Sequence, residues 1–560
     1  MTPRIPLGKA TDEAILKFST EVKDEVETLA NLLLDVFEDF RTGRVGVGTQ
    51  KIALKLFDEW LTRSQLPTVK ESEAYVIWVT TRIKSVQGRK KVMAKKLTFA
   101  EKKSIGDLAE TIEVEIAKGK TPDEAVRENV WSLYSDKTML FLTQTAYVVI
   151  GRVVMFFLGR DRTFLSLQEP QKGKFVATYW QLVHDFREYL PTICTLNEFD
   201  WWYVPPTAPL AGDEGKILDV DGRKIELKLD AIFKHLGQFD YTKVDTDVWK
   251  EIYLRVLAEE YTRRLGFVPT PDAIVELILD LVGYSSDRTN LCRRTLLDPS
   301  CGSGTFALEA MLRLKEHLGQ DMKCHAQKPG LAEWEIARLK LETMIQCIHA
   351  IDIHPFASFL TSLNLTFALT DIYRIVKNSD PHYALRLDVV THDALVNPAR
   401  FGLEAFTNGR LQEVMRREEG YTLLSSEKFD FVVGNPPWGG VLIGKLGPLG
   451  DPNLRQQYKS KFGKVAGGKY DIYVLFLAQG IDWLKEEGRL GMITQIMYLE
   501  QAYGKGIKDL IKKSGEITRF VDLSKVGGLI FPGFTNYPAI TVIQKHKAPR
   551  DSKLMEVTVT

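Results

Sequence analysis

Residues 296–311 read LLDPSCGSGTFALEAM, and this stretch decides the fold. Apolar residues lead to Asp298, a turn with Gly302 and Gly304 follows, and a helical pattern begins near Thr305. Because glycine has no Cβ, the turn can be tight and can let a ligand approach the backbone. The stretch is not the G-x-G-x-x-G of dinucleotide enzymes, and it lacks the lysine of a phosphate loop. An acidic residue before the turn favours a ligand with a cationic amine over a pyrophosphate.

Strands and helices alternate around this stretch, from about residue 241 to residue 546. Seven strand-like stretches are separated by helical patterns: RTLLDPS, CIHAIDI, LDVVTHD, FDFVVGN, RLGMITQ, TRFVDL and AITVIQK. Such alternation is typical of α/β proteins, in which helices cover both faces of a mostly parallel sheet. We predict a doubly wound, seven-stranded, mostly parallel, Rossmann-like sheet for residues 241–546.

Residues 1–240 have a different texture. Apolar residues recur there at spacings of three and four, as in DEAILKFSTEVKDEVETLANLLL, which predicts a mainly α-helical domain. KILDVDGRKIELKLD, residues 216–230, alternates around Asp221-Gly222 and predicts a small β-hairpin. Residues 547–560 are predicted to form a tail, the start of a missing recognition region.

The composition excludes few function classes. The 560 residues are 44% hydrophobic and 26% charged with a formal net charge of +1, so a basic surface must be local. Five cysteines have no C-x-x-C spacing, so no metal site is predicted. Residues 138–159 approach membrane-spanning length, but Gln144 and Arg152 interrupt them. We predict a buried core helix, no membrane contact and, since no secretory signal is visible, a cytoplasmic location.

Two further acidic residues stand at predicted strand ends. In a doubly wound sheet, ligands bind beyond the carboxyl ends of the strands. Asp352 ends the strand of CIHAIDI, and its carboxylate can accept both hydrogen bonds of a ribose diol. Asp393 follows LDVVTH and is placed to accept from an exocyclic amine, such as that of adenine. The position of Asp393 in the sequence is equally consistent with this role and with a purely structural one.

A fourth strand end carries an unusual motif. FDFVVGNPPWGG, residues 429–440, ends in Asn435-Pro436-Pro437-Trp438. DPSCGSGTF followed by NPPW resembles the adenine-N6 DNA methyltransferases of the gamma arrangement, in which an N-P-P-aromatic motif follows the glycine motif. LGFVPTPDAIVELILDLV resembles the motif X that precedes them in that class. LKEEGRLGMITQ and LIFPGFTNYPAITVIQK resemble its later motifs, and the whole likeness runs from about Val248 to Lys545.

The resemblance implies a methyltransferase sheet with S-adenosyl-L-methionine as its cofactor and double-stranded DNA as its substrate. It also implies a restriction-modification or phage-defence system, with a separate specificity or nuclease subunit as a further partner. The implied catalytic residues are Asn435, Pro436, Pro437 and Trp438. The implied cofactor-binding residues are Thr270, Pro271, Asp298, Pro299, Cys301, Gly302, Gly304, Asp352, Ile353 and Asp393.

Within the implied cofactor site, Thr270 and Pro271 match positions at the methionine end, and Asp298 matches the acid near the amino group. Asp352 matches the ribose ligand and Asp393 the acceptor for the cofactor adenine. Phe531, with Phe534 as the alternative, matches an aromatic that packs with Trp438 on the extruded base.

The chemistry explains the N-P-P-W motif independently. The amine of adenine is a poor nucleophile because its lone pair is delocalised into the ring. The Asn435 side-chain oxygen and the Pro436 carbonyl can accept its two hydrogens, which favours a pyramidal nitrogen aimed at the methyl donor. Proximity and alignment then supply most of the acceleration. The prolines keep the turn rigid and Trp438 offers a stacking face, since the base must leave the duplex.

Residues 439–469 are rich in glycine and basic residues. They predict a mobile loop beside the catalytic turn that contacts DNA phosphates, with a merely solvated loop as the alternative. The residues expected to contact the DNA backbone are Lys445, Arg455, Lys459, Lys461 and Lys464.

Other functions remain open. N-P-P-aromatic motifs also serve methylation of RNA or of protein glutamine, and a non-catalytic DNA-binding subunit could retain the fold. Many relatives carry a target-recognition domain after the last strand, whereas about fifteen residues follow here, so recognition is expected from a partner or from a longer chain. Glu226-x-Lys228 downstream of Asp219 and Asp221 is a loose signature of a metal-dependent nuclease.

Overall fold

The computed structural model describes most of the chain in two compact units. The described residues are 4–7, 12–41, 47–63, 119, 134–164, 174–194, 198–204, 216–217, 223–244, 270–288, 290–320, 330–395, 428–438, 452–467, 470–531, 537–546 and 555–558. The N-terminal unit comprises residues 1–188, 194–256 and 444–452, and the sheet unit comprises residues 189–193, 257–443 and 453–560.

Helices alternate with short and long strands along the described chain. The helices are α1 Asp12–Arg41, α2 Val47–Arg63, α3 Ser135–Asp161, α4 Phe175–Arg187, α5 Pro191–Cys194, α6 Arg223–Gly237, α7 Asp272–Val282, α8 Thr305–Gln320, α9 Glu333–Cys347, α10 Pro355–Ser379, α11 Pro452–Phe462, α12 Tyr473–Trp483, α13 Met497–Glu500, α14 Lys505–Ser514 and α15 Gly527–Ile530. The strands are β1 Ile5–Pro6, β2 Tyr203–Val204, β3 Lys216–Ile217, β4 Phe239–Asp240, β5 Leu296–Asp298, β6 Ile348–Asp352, β7 Val389–Thr391, β8 Phe429–Gly434, β9 Leu484–Gln495, β10 Gly515–Asp522, β11 Pro538–Lys545 and β12 Met555–Thr558.

The N-terminal unit has a core of aromatic side chains between its helices. Phe57 stacks on Trp60 with ring centroids 5.8 Å apart, and Phe37 meets Trp201 edge to face at 5.4 Å. Aromatic pairs of this kind add to the free energy gained from burying their apolar area. Helical packing therefore dominates the described part of this unit, as its sequence period indicates.

Helix α3 is the core helix of that unit, and it carries its polar side chains into the core. It has the length and apolar composition of a membrane span, yet 94% of its most apolar window is buried within the structure. Gln144 accepts a hydrogen bond from Trp60 Nε1 at 2.8 Å, and Arg152 pairs with Asp200 at 2.6 Å and 3.3 Å. These partners explain why a polar residue and a charge can lie inside an apolar helix.

The β-hairpin predicted for residues 216–230 is wrong. Lys216–Ile217 pairs with Tyr203–Val204, and the following residues from Arg223 onward form helix α6. The reason is the apolar spacing of Ile225, Leu229, Ile232, Phe233 and Leu236, which are all buried and lie on one helical face. Over the longer stretch from Arg223 to Gly237, the helical spacing of apolar residues outweighs the strand-like alternation around Asp221-Gly222.

Helix α6 also gives structural roles to Glu226 and Lys228, the two residues of the loose nuclease signature. The Glu226 carboxylate accepts hydrogen bonds from the backbone N–H groups of Phe175 and Val176, so it caps the start of α4. Lys228 Nζ forms an ion pair with Glu25 at 2.5 Å. The two side chains thus have separate structural partners, whereas Asp219 and Asp221 lie outside the described residues. Among the described residues, no cluster of acidic, histidine or cysteine side chains could hold a metal ion.

The sheet unit is built on a doubly wound sheet. Its strand order is β12-β10-β11-β9-β8-β5-β6-β7, and only β11 runs antiparallel to its neighbours, β9 and β10. The seven predicted strands are all present. The eighth, β12, pairs in parallel with β10 and comes from the predicted tail, where MEVT alternates apolar and polar residues.

The strand order places a crevice at one edge of the sheet. From β5 the chain continues to β6 and β7 on one side, and then returns to β8 on the other side of β5. Ligands of doubly wound proteins bind where the order reverses in this way, at the carboxyl ends of the strands. Asp298 at the end of β5 and Asn435 just after β8 therefore belong to the same edge.

Helix α7 packs directly on the sheet beside this edge. Its buried face consists of Ile274, Val275, Ile278, Leu279 and Val282, and Gly283 ends it in a left-handed conformation with φ of 76°. A Cβ on Gly491 of β9 would lie 2.5 Å from Val282 and 3.0 Å from Ile278. The missing side chain on β9 thus lets the helix approach closely.

Candidate active site

The glycine turn after β5 is held by backbone and by helix α10. The Cys301 N–H donates to the Ile351 carbonyl at 2.9 Å, which fastens the turn to β6. Gly302 and Gly304 have φ of 55° and 86°, conformations that favour glycine. Thr361 Oγ1 donates to the Gly302 carbonyl at 3.0 Å, and a Cβ on Gly304 would lie 2.8 Å from the Thr361 side chain. The turn therefore requires glycine, as predicted, and α10 supports it.

Asp298 is a buried acid with an unused acceptor. It is 1% exposed, its Oδ1 accepts from the Ser300 N–H at 3.1 Å, and its Oδ2 has no hydrogen-bond partner in the described part of the chain. Burial raises the pKa of Asp298 to about 8, the Ser300 N–H opposes the rise, and the charge of Asp352 adds to it. A buried, unpaired carboxyl is costly to ionise unless a cation neutralises it.

Asp352 is fixed at the end of β6 by backbone donors. The Gly302 N–H donates to its Oδ2 at 2.9 Å and the His354 N–H to its Oδ1 at 2.8 Å. Burial raises the pKa of Asp352 to about 6, against the lowering effect of these donors. The adjacent Ile353 is half-buried at the same strand end, whereas Pro299 and Cys301 are buried.

Gly434, the last residue of β8, lies against Asp298. A Cβ at this position would be 2.9 Å from Asp298 Oδ1 and 3.5 Å from Ser300 Oγ. The absence of a side chain thus lets β8 pass close to the acid of the neighbouring strand. Gly434 directly precedes Asn435 in the sequence, but no feature of the sequence identified it as a site residue.

Asn435 is oriented by Thr270. Its Nδ2 donates a hydrogen bond to Thr270 Oγ1 at 3.0 Å. Thr270 is buried and is followed by Pro271, the N-cap of α7. Because Nδ2 is engaged, the carboxamide presents Oδ1 as its free acceptor: among the described residues, none donates to this oxygen.

Trp438 is anchored at both ends of its indole. Its Nε1 donates to the Ile493 carbonyl of β9 at 3.3 Å, and its ring meets Phe531 edge to face with centroids 5.0 Å apart. Phe531 is buried while Trp438 is half-buried and Pro437 is exposed. The structure therefore brings the two predicted aromatic residues together, with Trp438 the more accessible. Phe534 lies outside the described residues.

Asp393 lies beyond β7 under helix α11. Its Oδ1 accepts from the Leu395 N–H at 2.9 Å, and the buried Tyr458 donates its hydroxyl to Oδ2 at 3.4 Å. Lys461 Nζ donates to the Leu395 carbonyl at 3.0 Å. Helix α11 is thus docked on the segment that follows β7.

The basic loop predicted for residues 439–469 is wrong over its second half. Residues 452–462 form α11 and residues 463–466 a short 3₁₀ helix, because Tyr458, Val465 and Ala466 are buried and fix the segment to the sheet unit. Lys459, Lys461 and Lys464 remain exposed on this segment. Lys445 and the side chain of Arg455 lie outside the described residues.

The comparisons with known proteins fit this geometry. Residues 346–528 match the family model described as Eco57I restriction-modification methylase. Over 286 residues the chain is 29% identical to the Type II methyltransferase M.XhoI of Xanthomonas vasicola, spanning 50% of this chain and 43% of that protein. It is 24% identical to the Type II restriction enzyme and methyltransferase RM.Eco57I of Escherichia coli, over 51% of this chain and 28% of that protein.

The resemblance to restriction-modification methylases is confirmed. The chain spans less than half the length of these relatives. Among solved structures it is similar to a nuclease-deletion mutant of the Type ISP restriction-modification enzyme LlaGI in complex with a DNA substrate mimic. That match has 16% identity and a TM-score of 0.47, and it covers 83% of this chain and 36% of the other.

The likeness to restriction-modification methylases indicates S-adenosylmethionine as the cofactor, and the residues present fit it. The buried Asp298, whose Oδ2 has no hydrogen-bond partner among the described residues, suits a cationic amino group. Asp352 can still accept from a ribose hydroxyl beside its bonds from the Gly302 and His354 N–H groups. The two carboxylates therefore offer the hydrogen-bond acceptors that a nucleoside with a charged amine requires.

Three supporting residues of the candidate site were missed from the sequence. Thr361 holds the glycine turn, Gly434 gives Asp298 room, and Tyr458 bonds Asp393. Thr361 lies in a long buried helix and Tyr458 in a stretch that was interpreted as a loop. Only the position of Gly434 beside the N-P-P-W motif offered a signal.

Proposed function

We propose that the protein transfers a methyl group from S-adenosylmethionine to the N6 amine of an adenine extruded from double-stranded DNA, as a component of a restriction-modification or phage-defence system. The observation that supports this most is the orientation of Asn435. Its amide nitrogen is engaged by Thr270, and its oxygen is available at the carboxyl edge of the sheet. That oxygen lies just after β8, next to the strand that carries Asp298.

The proposed step depends on two acceptors. Asn435 Oδ1 and the Pro436 carbonyl accept the two hydrogens of the adenine amine, which frees the nitrogen lone pair from the ring. Among the described residues, no donor reaches either oxygen. Proline supplies no N–H and restricts φ, so the carbonyl is held in place without a competing donor. The cofactor, when bound, supplies an electrophilic methyl group on its sulfonium.

The proposed target pocket is bounded by Trp438. The base must leave the duplex to reach Asn435, and stacking on an aromatic face offsets part of the cost of unstacking. The hydrogen bond from Trp438 Nε1 to Ile493 and the edge contact with Phe531 hold the indole plane in place. A preorganised stacking face loses less entropy when the base arrives.

The proposed DNA surface includes the exposed lysines of α11 and the turn after it. Lys459, Lys461 and Lys464 are on the segment that also contacts Asp393 through Tyr458. Phosphate contacts position a protein on DNA without reading sequence. Recognition of a sequence is proposed to come from a separate specificity subunit or from further chain, and the proposed location is the cytoplasm.

The deciding experiment follows the methyl group. The protein is incubated with tritium-labelled cofactor and with DNA, RNA or protein acceptors, with its genomic partners present. Label in DNA that digests to N6-methyladenine is the expected result. Label only in RNA or in protein would overturn the DNA assignment, and binding of cofactor without transfer to any acceptor would point to a non-catalytic subunit.

Asn435→Ala is expected to abolish transfer while leaving the dissociation constant for the cofactor within about twofold, since an acceptor for the reacting amine is lost. Asn378→Ala removes an exposed asparagine at the end of α10 and serves as the matched control. Transfer is measured by filter binding of labelled DNA and cofactor affinity by calorimetry. Retention of more than a few per cent of activity by Asn435→Ala would contradict the role of its oxygen.

A further inference from the structure

Thr270 and Asn435 are far apart in the sequence but bonded in the fold. The two residues are 165 positions apart, and Asn435 Nδ2 donates to Thr270 Oγ1 at 3.0 Å. Thr270 is 6% exposed, so water cannot easily replace its hydroxyl. The resemblance implied only a contact between Thr270 and the methionine end of the cofactor. The hydrogen bond indicates a second role.

The Thr270 hydroxyl is held by rigid surroundings. Pro271 follows it, with φ of −57° and ψ of 143°, and the Pro271 carbonyl accepts from the N–H groups of Ile274 and Val275 at the start of α7. A residue before proline is itself restricted to extended backbone. Helix α7 is seated on β9 at Gly491, and β9 pairs with β8, which leads to Asn435. The hydroxyl and the amide are thus carried by elements that pack together.

The carboxamide of asparagine has two nearly isosteric orientations. Rotated by half a turn, it would present an NH₂ group where the oxygen now lies, and donors would face the donors of the target amine. A threonine hydroxyl can accept from the amide nitrogen or donate to the amide oxygen. In the structure Nδ2 donates to Thr270 Oγ1, which is the orientation that leaves Oδ1 for the two hydrogens of an amine. We propose that Thr270 is a positioning residue whose hydroxyl fixes the Asn435 carboxamide with its oxygen toward the target amine. The proposal rests on the proposed methyl transfer to an amine.

Thr270→Val removes the hydroxyl and keeps the branched shape, whereas Thr270→Ser keeps the hydroxyl. The expected result for valine is a roughly ten- to hundredfold fall in kcat, with the dissociation constant for S-adenosylmethionine within about threefold, because the amide loses a buried partner. Serine is expected to restore kcat to within about threefold of the original protein. Thr366→Val, which removes a buried hydroxyl bonded to the Ser362 carbonyl within α10, is the matched control.

A readout that needs no turnover separates this inference from the proposed function. In protein labelled with ¹⁵N-asparagine, the side-chain NH₂ signals of Asn435 are assigned through Asn435→Ala. Those signals are expected to shift in Thr270→Val and to keep their positions in Thr270→Ser and Thr366→Val. This outcome supports the inference even if no acceptor is methylated.

Three outcomes would overturn the inference. One is an unchanged kcat and unchanged NH₂ signals in Thr270→Val. Another is a serine variant as impaired in kcat as the valine variant, which would assign the effect to the missing methyl group. The last is a loss of cofactor affinity with kcat preserved at saturating cofactor, which would leave Thr270 as a cofactor contact alone. Thermal unfolding of each variant confirms that the fold is retained.

Discussion

Gly434→Ala should damage cofactor binding through a single methyl group. The added Cβ would lie 2.9 Å from Asp298 Oδ1, 3.5 Å from Ser300 Oγ and 3.7 Å from Pro299 Cδ. At 2.9 Å the added Cβ and Asp298 Oδ1 would be closer than van der Waals contact allows, so one of the two must move. Asp298 is buried and bonded to the Ser300 N–H, so the strain must displace either the acid or the end of β8.

The expected magnitudes follow from those two responses. Inserting a methyl group into a packed site costs about 1–3 kcal/mol, which should appear as a lower free energy of unfolding of the cofactor-free protein. If the carboxyl moves, the charge-assisted hydrogen bond proposed between it and the cofactor amine weakens. Such bonds contribute about 1.5–3 kcal/mol, so the dissociation constant for S-adenosylmethionine should rise by about ten- to a hundredfold.

Calorimetric titration with S-adenosylmethionine and denaturant unfolding provide the measurements. Gly319→Ala is the matched control, because a Cβ on Gly319 of α8 would have no neighbour within 4 Å among the described residues. That control should raise the free energy of unfolding by about 0.5–1 kcal/mol, since alanine is favoured in helices, and leave cofactor affinity unchanged. A Gly434→Ala protein with the affinity and stability of the original would refute the close approach of β8 to Asp298.

Two further predictions concern buried charges. The pKa of Asp298, raised by burial to about 8, lies above its ordinary value, so the cofactor-free fold binds a proton that the unfolded chain releases. Its free energy of unfolding should therefore fall as pH rises from about 4 to about 8, and Asp298→Asn should reduce this dependence in denaturant titrations at several pH values. Asp200→Leu, which removes the carboxylate paired with the buried Arg152 guanidinium, should lower the free energy of unfolding by about 3–5 kcal/mol, and Arg152→Met in the same chain should recover most of it. A pH-independent original protein, or an Asp200→Leu loss below about 1 kcal/mol, would contradict these assignments.

The sheet was predictable because its signals are local. Each of the seven strands is a short apolar run that ends at a polar residue or a turn, and each is followed by a helical period or a reversal. The end residues Asp298, Asp352 and Asn435 could be placed at one edge because parallel strands share their carboxyl ends. Local signals also explain the errors at residues 216–230 and 452–462.

In both of those segments the local turn and loop signals predicted the wrong structure. Asp221-Gly222 is a strong turn signal, but the buried face of α6 extends to Leu236, and its packing decides the segment. Glycine and lysine in residues 439–469 suggested a loop, whereas burial of Tyr458 fixes α11. Tertiary burial outweighed local propensity in each case.

The supporting contacts of the site could not be predicted, because they join distant parts of the chain. Thr270 orients Asn435, and Gly434 lies against Asp298. Gly434 at the end of β8 and Asn435 directly after it therefore contact two different parts of the proposed cofactor site. A shift of that strand end changes the position of the buried acid and the orientation of the amide together.

The contacts of Gly434 with Asp298 and of Asn435 with Thr270 determine how variants at this strand end should behave. The acid and the amide are both backed by packed elements, so neither is free to adjust alone. Substitutions at Gly434 should therefore impair methyl transfer even at saturating cofactor, whereas Thr270→Val should impair transfer without weakening cofactor binding. The contrast between these two variants separates binding of the methyl donor from orientation of the acceptor. A general loss of stability would instead affect cofactor binding and methyl transfer alike in both variants.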